Sequence, residues 1–334
     1  MRGYYELVGA MMKLPRRKFL YLAMGGAALP AMPRVIKAQG YPSRPVRVIV
    51  GFPAGSAPDV VSRLVAQPLS QRIGQPVVTE DRPGAGGTMG TEIVVRAQPD
   101  GYTLLLANNA NAINAALYPN LNFNFIRDIA PVALIGGAEY VMVVNVSVPA
   151  INVAEFVAYA KANPAKINLA SPGNGTTPHV LGELFKMMTG VELVHVPYRS
   201  SYLPDLIGGQ TQVAFTPLPL SVEFIRTGKL RALAVTGSTR SQALPNVPTV
   251  GETVSGYEGS GWFGLAAPKG TSAAVIERLN ADMNRIVAEP DMKARLIKLG
   301  APPMSLSLAD YSKLIADQTE QWAKVIKFAN IKPE

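Results

Sequence analysis

Short apolar runs alternate with segments of helical periodicity from Val46 onwards. Each run is bounded by polar or turn-forming residues, which is typical of buried strands. The runs lie at 46–50, 76–80 and 102–107, and the helical segments between them at 60–69 and 88–97. This β-α-β-α-β order predicts a parallel sheet with helices on its faces.

A second unit of the same kind is predicted further along the chain. The apolar runs at 132–136 and 141–145 are separated by glycines, which predicts a crossing between two lobes. Alternating strand and helix patterns then continue to about residue 237, and a run from Gly261 predicts the return crossing before a helical C-terminal part. The pattern predicts an α/β protein with residues 40–137 and 261–334 in lobe 1 and residues 138–260 in lobe 2.

Two turns rich in small residues stand out, GFPAGSAPD at 51–59 and SPGNGTTPH at 171–179. Each follows a predicted strand and leads into a predicted helix, so its backbone N–H groups can cradle an anion. In parallel α/β sheets ligands bind outside the carboxyl ends of the strands, where both turns lie. We expect the two lobes to share one ligand, although an ordinary strand-to-helix turn is the alternative for each motif.

Other polar residues near strand ends are candidate ligand contacts. Asn108 and three further asparagines follow the third strand and offer neutral amide donors, although asparagine also simply favours turns. Tyr198 and Arg199 end a later strand with a phenol and a guanidinium, which suits a carboxylate. Arg199 is equally well explained as a solvated surface charge.

Several kinds of chemistry lack their residues. The chain has no cysteine, which excludes disulfides, thiolate metal sites, a thiol nucleophile and a lipid anchor on cysteine. The two histidines, His179 and His195, show no zinc-site spacing, and we expect structural roles for both, with ligand contact left open for His179. The segment RPGAGGTMG at 82–90 has Met89 where a dinucleotide fingerprint needs its third glycine, so it predicts a tight turn. We expect no metal, no cofactor and no enzymatic activity.

The positive charge is concentrated at the N-terminus. Of the formal charge of +9, residues 1–39 carry +6, which leaves +3 for the remainder and no basic stripe that would bind nucleic acid. Residues 13–18 contain a twin arginine, and an apolar segment at 19–32 is too short and too interrupted to span a bilayer. Residues 1–39 therefore predict a twin-arginine export signal, cleaved before Gln39, and a periplasmic location.

A set of motifs in a defined order resembles one known family. The motifs are FPAGSAPD, EDRPGAGGTMGTE, PDGYTLLLANNANAINAALY, ASPGNGTTPH, VHVPYR, GKLRALAVTGSTRS and LPNVPTVGE. Together they resemble the Bug-type periplasmic receptors of tripartite tricarboxylate transporters, from about Tyr41 to the C-terminus.

The resemblance implies a two-lobed, type II periplasmic-binding-protein fold, each lobe a mixed or parallel sheet flanked by helices. It also implies a non-catalytic monomer that holds a small organic acid and delivers it to membrane transporter subunits. The ligand contacts it implies come from the two turns, through backbone amides and bridging water. They are Phe52, Ala54, Gly55, Ser56, Ala57 and Asp59 in the first turn, and Ser171, Gly173, Asn174, Gly175, Thr176 and Thr177 in the second.

The sequence departs from the common family pattern in three places. The first turn has Ser56 in place of a glycine-rich run, and the segment after Tyr198 is shortened beside Arg199. Thr216 stands where many members of the family carry an aspartate that would suit an amino group, so an amino acid ligand is disfavoured. We expect Ser56, Arg199 and Thr216 to determine which acid is bound.

Two rival functions remain at this point. A receptor that reports to a membrane signalling protein would have the same sequence features, because docking surfaces carry no short motif. An exported enzyme is compatible with twin-arginine export and an α/β fold, but scarce histidine and absent cysteine weigh against it.

Overall fold

The computed structural model describes residues 40–118 and 120–333. The proposed export signal at 1–39 lies outside these residues. The described chain contains two five-stranded sheets, and each is built mainly from one of the two α/β units that the apolar pattern predicts.

The first sheet has the strand order β2-β1-β3-β10-β4. Its strands are β1 (Val46–Val50), β2 (Val77–Asp81), β3 (Thr103–Asn108), β4 (Ile129–Ala138) and β10 (Gly261–Pro268). Strand β1 pairs in parallel with β2 and β3, whereas β10 runs antiparallel to β3 and β4.

The second sheet repeats this plan with the order β7-β6-β8-β5-β9. Its strands are β5 (Tyr140–Asn145), β6 (Ile167–Ser171), β7 (Leu193–Pro197), β8 (Val213–Pro217) and β9 (Leu230–Val235). Strand β6 pairs in parallel with β7 and β8, and β5 runs antiparallel to β8 and β9. The fold is therefore α/β with two mixed sheets, as predicted.

Helices cover the faces of both sheets. They are α1 (Ala57–Ile73), α2 (Thr88–Val95), α3 (Asn109–Leu117), α4 (Phe125–Asp128), α5 (Val153–Ala162), α6 (Thr177–Thr189), α7 (Leu203–Gly208), α8 (Leu218–Arg226), α9 (Ala273–Ala288), α10 (Pro290–Lys298) and α11 (Leu308–Ala329). Short 3-10 turns occupy Ala85–Gly87 and Val250–Glu252.

The chain crosses between the sheets where the glycines predicted a crossing. Strand β4 ends at Ala138 in the first sheet and β5 begins at Tyr140 in the second, so Glu139 alone joins them. The chain then returns to the first sheet, where β10 begins at Gly261. The second sheet therefore consists of consecutive strands, whereas the first sheet contains one strand, β10, that follows the whole second sheet in the chain.

The last helix, α11, packs into both cores. Tyr311 and Ile315 near its start are buried with Trp262 of the first sheet. Trp322 and Ile326 near its end are buried in the core of the second sheet. Helix α3 also contributes to that second core through residues that include Leu117. Helices α3 and α11, which the sequence assigns to lobe 1, thus also pack in the core of the second sheet.

Candidate functional site

The first turn forms a closed loop between β1 and helix α1. Gly55 lies in the left-handed region with φ 80°, which favours glycine. Its N–H donates to Oδ2 of Asp59 at 2.8 Å, and Oδ1 of the same carboxylate accepts from Nε of Arg63 at 2.5 Å. Asp59 is buried and holds the loop in shape.

The second turn repeats this geometry between β6 and helix α6. Gly175 also lies in the left-handed region, with φ 68°, and its N–H donates to Nδ1 of His179 at 3.1 Å. In both loops, a glycine N–H is therefore bonded to the side chain four residues later. The closing group is a carboxylate in the first loop and an imidazole in the second.

The helices that follow the loops begin in the same way. Ser56 and Thr176 are the N-cap residues, and neither side chain makes a capping hydrogen bond. Proline follows in the first turn of each helix, at Pro58 and Pro178. Backbone N–H groups at the start of a helix have no partner within it, and the helix dipole favours a negative charge there. Each helix start is therefore a suitable place for one oxygen of an anion.

The two histidines lie beneath the second loop. Their rings stack with centroids 3.6 Å apart and an interplanar angle of 6°. Nε2 of His195 lies 2.6 Å from Oγ of Ser171, where the loop begins, while His179 holds Gly175 further along. The stacked pair therefore anchors the loop at two points, in agreement with the structural roles expected for both residues.

Two ionisable side chains adjoin this pair, Glu183, which is buried, and Lys186, which is partly exposed. Since Nδ1 of His179 accepts a hydrogen bond, its proton resides on Nε2, which lies 3.6 Å from Oε1 of Glu183. Burial acts to raise the pKa of Glu183, but hydrogen bonds from His179 and Lys186 outweigh it and lower that pKa. Burial and then the electrostatic interaction with His179 lower the pKa of His195 to about 4, so His195 is neutral at physiological pH.

A cavity of about 310 Å³ lies between the two loops. Among the described residues that line it, none carries a charged side chain. Seven residues proposed from the sequence lie in its wall: Phe52, Ala57, Asn108, Asn174, Gly175, Thr176 and Thr177. The cavity thus brings the starts of α1 and α6, which follow strands of different sheets, to one neutral space.

Asn108 is the N-cap of helix α3 in this wall. Its Oδ1 accepts from the N–H of Ala110 at 2.9 Å, whereas its Nδ2 has no hydrogen-bond partner among the described residues. The side chain is only 3% exposed. An unpaired buried amide donor is costly, so Nδ2 is suited to an acceptor that enters the cavity.

Neighbouring asparagines are already bonded within the protein. Nδ2 of Asn109 donates to Oγ1 of Thr177 at 2.8 Å, which ties α3 to the start of α6. Nδ2 of Asn114 donates to the carbonyl oxygen of Gly86 at 2.6 Å. Gly86 belongs to the tight turn predicted from RPGAGGTMG and lines the cavity. These amides position the walls of the cavity.

A second cavity of about 410 Å³ adjoins the first. The two share Ala57, Tyr140, Pro217, Leu220 and Phe263 in their walls. Gly55 and Ser56 of the first loop line the second cavity. The two cavities are therefore neighbours, and we call them together the cleft.

Two observations bear on other classes of protein. Among residues 40–118 and 120–333, no three or more His, Cys, Asp or Glu side chains come together in a way that could hold a metal ion. In the same part of the chain, no helix is long and apolar enough to cross a membrane.

Comparison with known proteins decides the family. Residues 61–331 match the sequence model of the tripartite tricarboxylate transporter family receptor, TctC. The chain belongs to this family. The resemblance inferred from the ordered motifs is confirmed, and the TctC match covers every strand except β1 and includes α11.

Relatives of this receptor are similar over almost their whole length. Protein BugT of Bordetella pertussis is 35% identical over 315 residues, which are 92% of this chain and 94% of BugT. Among solved structures, R. palustris Rpa4515 with adipate has a TM-score of 0.76 and 32% identity, covering 88% of this chain and all of that one. MatC of Rhodopseudomonas palustris with bound malate has a TM-score of 0.72 and 28% identity, covering 86% of this chain and all of MatC. The two-lobed periplasmic-binding-protein fold is thereby shown.

Several residues proposed from the sequence lie outside both cavity walls. They are Ala54, Asp59, Ser171, Gly173, Tyr198, Arg199 and Thr216. Asp59 and Ser171 support the loops, and Gly173 is bonded to Ser171 Oγ through its N–H. Arg199 is exposed. The hydroxyl of Tyr198 donates to Oδ2 of Asp205 at 2.8 Å.

Thr216 does not line the cavities but is bonded to Tyr202, which does. It is fully buried, and its Oγ1 accepts from the hydroxyl of Tyr202 at 2.7 Å. Tyr202 lines the first cavity, and burial raises its pKa to about 12. Thr216 therefore orients a phenol in the wall.

Sequence reasoning missed part of the cleft. Tyr140, Tyr202, Leu220 and Phe263 line it, but none lies in the two small-residue turns. The crossing signal at 136–138 was the one available hint for Tyr140, which begins the strand after the crossing. The other residues reach the cleft only through tertiary packing.

Proposed function

We propose that this TctC-family receptor captures a small organic carboxylate between its two lobes in the periplasm and passes it to membrane transporter subunits. In this proposal residues 40–137 and 261–334 supply lobe 1, residues 138–260 supply lobe 2, and residues 1–39 are a cleaved export signal. The bound adipate and malate of its structural relatives support a carboxylate ligand.

One observation carries this proposal. Helices α1 and α6 follow strands of different sheets, yet residues from the starts of both line one uncharged cavity. A carboxylate there meets backbone N–H groups from both sides without a competing charge. Asn108 adds an amide donor from helix α3. In this arrangement the residues in the cavity walls contact the ligand directly, and Asp59, Ser171, Gly173 and Thr216 support them.

Binding explains lobe closure without any catalytic chemistry. A ligand shifts a conformational equilibrium only by its difference in affinity for the two states. A carboxylate that bonds to both helix starts makes all its contacts only when the lobes are together. The closed, loaded form is then the form that the transporter subunits recognise.

Isothermal titration of the purified chain against mono-, di- and tricarboxylates, aromatic acids and amino acids tests the proposal. We expect at least one carboxylate to bind, and the corresponding amide, which lacks the charge, to bind at least about tenfold more weakly. If no carboxylate in the panel binds, or if amides bind as tightly as their acids, the proposal is wrong.

A further inference from the structure

The second cavity differs from the first in its charge. The first cavity has a neutral lining, whereas Glu139 and Lys298 both line the second. Because the two cavities share five residues of their walls, a ligand held at the loops lies next to the second cavity. For a ligand long enough to reach it, the groups there would meet the end remote from the carboxylate.

Glu139 is held rigidly at the crossing between the sheets. It is the single residue between β4 and β5. Its N–H donates to the carbonyl oxygen of Gly300 at 3.1 Å, and its own carbonyl oxygen accepts from the N–H of Leu218 at 3.0 Å. Both backbone groups are therefore bonded, which fixes the backbone of Glu139 beside the second cavity.

The carboxylate of Glu139 has unused hydrogen-bonding capacity. It is partly buried, and burial raises its pKa, while a hydrogen bond from Ser241 opposes this rise. Glu139 forms no ion pair among the described residues, and a carboxylate has about four acceptor sites. A partly buried carboxylate with few partners is costly, so a donor arriving with the ligand would stabilise it.

Ser56 supplies a second group without a partner in the same cavity. Its hydroxyl is buried and has no hydrogen bond among the described residues. It does not cap helix α1, although it occupies the N-cap position. A hydroxyl both donates and accepts, so it suits an amine or an alcohol equally well.

Lys298 does not cancel the effect of Glu139. The lysine is exposed and also lines an outer depression together with Arg63 and Arg295. Charges on exposed side chains are screened by water and salt, whereas a partly buried carboxylate is screened much less. The second cavity therefore disfavours a second negative charge on the ligand.

We propose that the ligand is an acid whose far end carries an uncharged or cationic hydrogen-bond donor, a hydroxyl or an amine, held by Glu139 and Ser56. This inference rests on the proposed function. Among the small organic carboxylates of that proposal, it excludes simple dicarboxylates as the preferred ligand. An amino group on the ligand was disfavoured because Thr216 replaces an aspartate. Glu139 supplies a carboxylate from another part of the cleft, so an amino group is compatible with this site.

The test compares linear acids of equal length that differ only at the far end. Hydroxyl, amine, methyl and carboxylate members are titrated calorimetrically into the full chain over a range of lengths. At the best length, we expect the hydroxyl or amine member to bind at least about tenfold more tightly than the dicarboxylate, because it donates a hydrogen bond to Glu139 where the dicarboxylate brings a like charge. The hydroxyl and amine arms show which donor is preferred.

Substitutions test whether Glu139 causes the preference for a hydroxyl or amine over a carboxylate at the far end. Glu139→Gln removes the charge but keeps an acceptor for Ser241, and we expect it to reduce the preference over the dicarboxylate about tenfold. Glu277→Gln, an exposed glutamate on α9, is the matched control and leaves the preference unchanged. Ser56→Ala is a second variant that removes no capping bond, and it weakens the hydroxyl and amine members more than the methyl member.

Other outcomes overturn the inference. If carboxylates bind but the far end has no effect, or if the dicarboxylate binds best and Lys298→Gln abolishes that preference, the inference fails while the receptor function stands. An unchanged preference in Glu139→Gln also overturns it. If no carboxylate in the wider panel binds, the receptor proposal itself fails.

Discussion

His195 shows at the scale of one residue how burial supports the ligand loop. Its ring stacks on His179 and bonds to Ser171 at the start of the loop. Burial is the largest cause that lowers its pKa, and the electrostatic interaction with His179 is the next. The neutral ring of His195 can bond to Ser171 in either tautomer, because Nε2 then donates to or accepts from the hydroxyl.

This lowered pKa predicts a dependence of stability on pH. The unfolded chain protonates His195 near its ordinary pKa of 6.5, whereas the folded chain resists protonation until about pH 4. The free energy of unfolding therefore falls as the pH decreases from 6.5 towards 4. In His195→Gln, which retains a side-chain amide for Ser171, we expect a flatter profile in urea denaturation across this window. Equal slopes for the two proteins would contradict the prediction.

Asn108 gives a second prediction at this scale. Asn108→Asp keeps an oxygen that caps α3 but replaces the amide donor with a negative charge facing the cavity. We expect the affinity of the folded variant for a carboxylate to fall at least about tenfold. Asn124→Asp is the control, since Asn124 also caps a helix but is exposed and outside both cavities. An unchanged affinity in Asn108→Asp would show that this amide does not face the ligand.

At the scale of elements, the loop before α6 is shaped by helix α3. A Cβ atom at Gly175 would lie 2.3 Å from Cδ2 of Leu117, so a side chain here must displace either the loop or the helix. Glycine therefore serves two purposes, a left-handed backbone and a close approach between elements. The first loop differs, because a Cβ at Gly55 meets nothing within 4 Å.

Gly175→Ala tests this arrangement against a matched control. Gly190 has a similar φ of 69° at the end of α6, but a Cβ there meets nothing within 4 Å. Both substitutions incur about 1–2 kcal/mol of backbone strain. We expect only Gly175→Ala to lose at least about tenfold in ligand affinity and to be the less stable of the two in thermal unfolding. Similar affinities for the two variants would show that the contact with Leu117 does not shape the loop.

At the scale of the whole molecule, α11 joins the cores of the two sheets. Tyr311 packs edge-to-face on Trp262 with ring centroids 5.5 Å apart, while Trp322 is buried in the other core. One continuous helix thus shares its buried surface between both lobes. Unfolding of either core removes packing from the other, so the described chain is expected to unfold cooperatively.

Trp322→Ala should therefore destabilise the whole chain. We expect a loss of about 3–5 kcal/mol, in a single transition seen equally by fluorescence and circular dichroism. Phe328→Ala on the same helix is the control, because Phe328 is 56% exposed and its loss costs at most about 0.5 kcal/mol. Two separate transitions in the unsubstituted chain would contradict the bridging role.

The sequence by itself determined the local features of this receptor. The apolar runs predicted the strands, the glycine-rich turns predicted the two loops, and the ordered motifs predicted the family. Such features depend on neighbours in the chain, because period, turn chemistry and helix starts are set within a few residues. Seven of the residues proposed for the site lie in the first cavity wall for this reason.

Tertiary structure alone decided which groups face the cleft. Thr216 lies near the end of strand β8, yet its hydroxyl is bonded to Tyr202, and Tyr202 lines the cavity instead. Glu139 carries no motif, but the crossing places it in the wall beside the first loop. These placements arise from contacts between residues distant in the chain, where packing and unpaired polar atoms determine what a ligand meets.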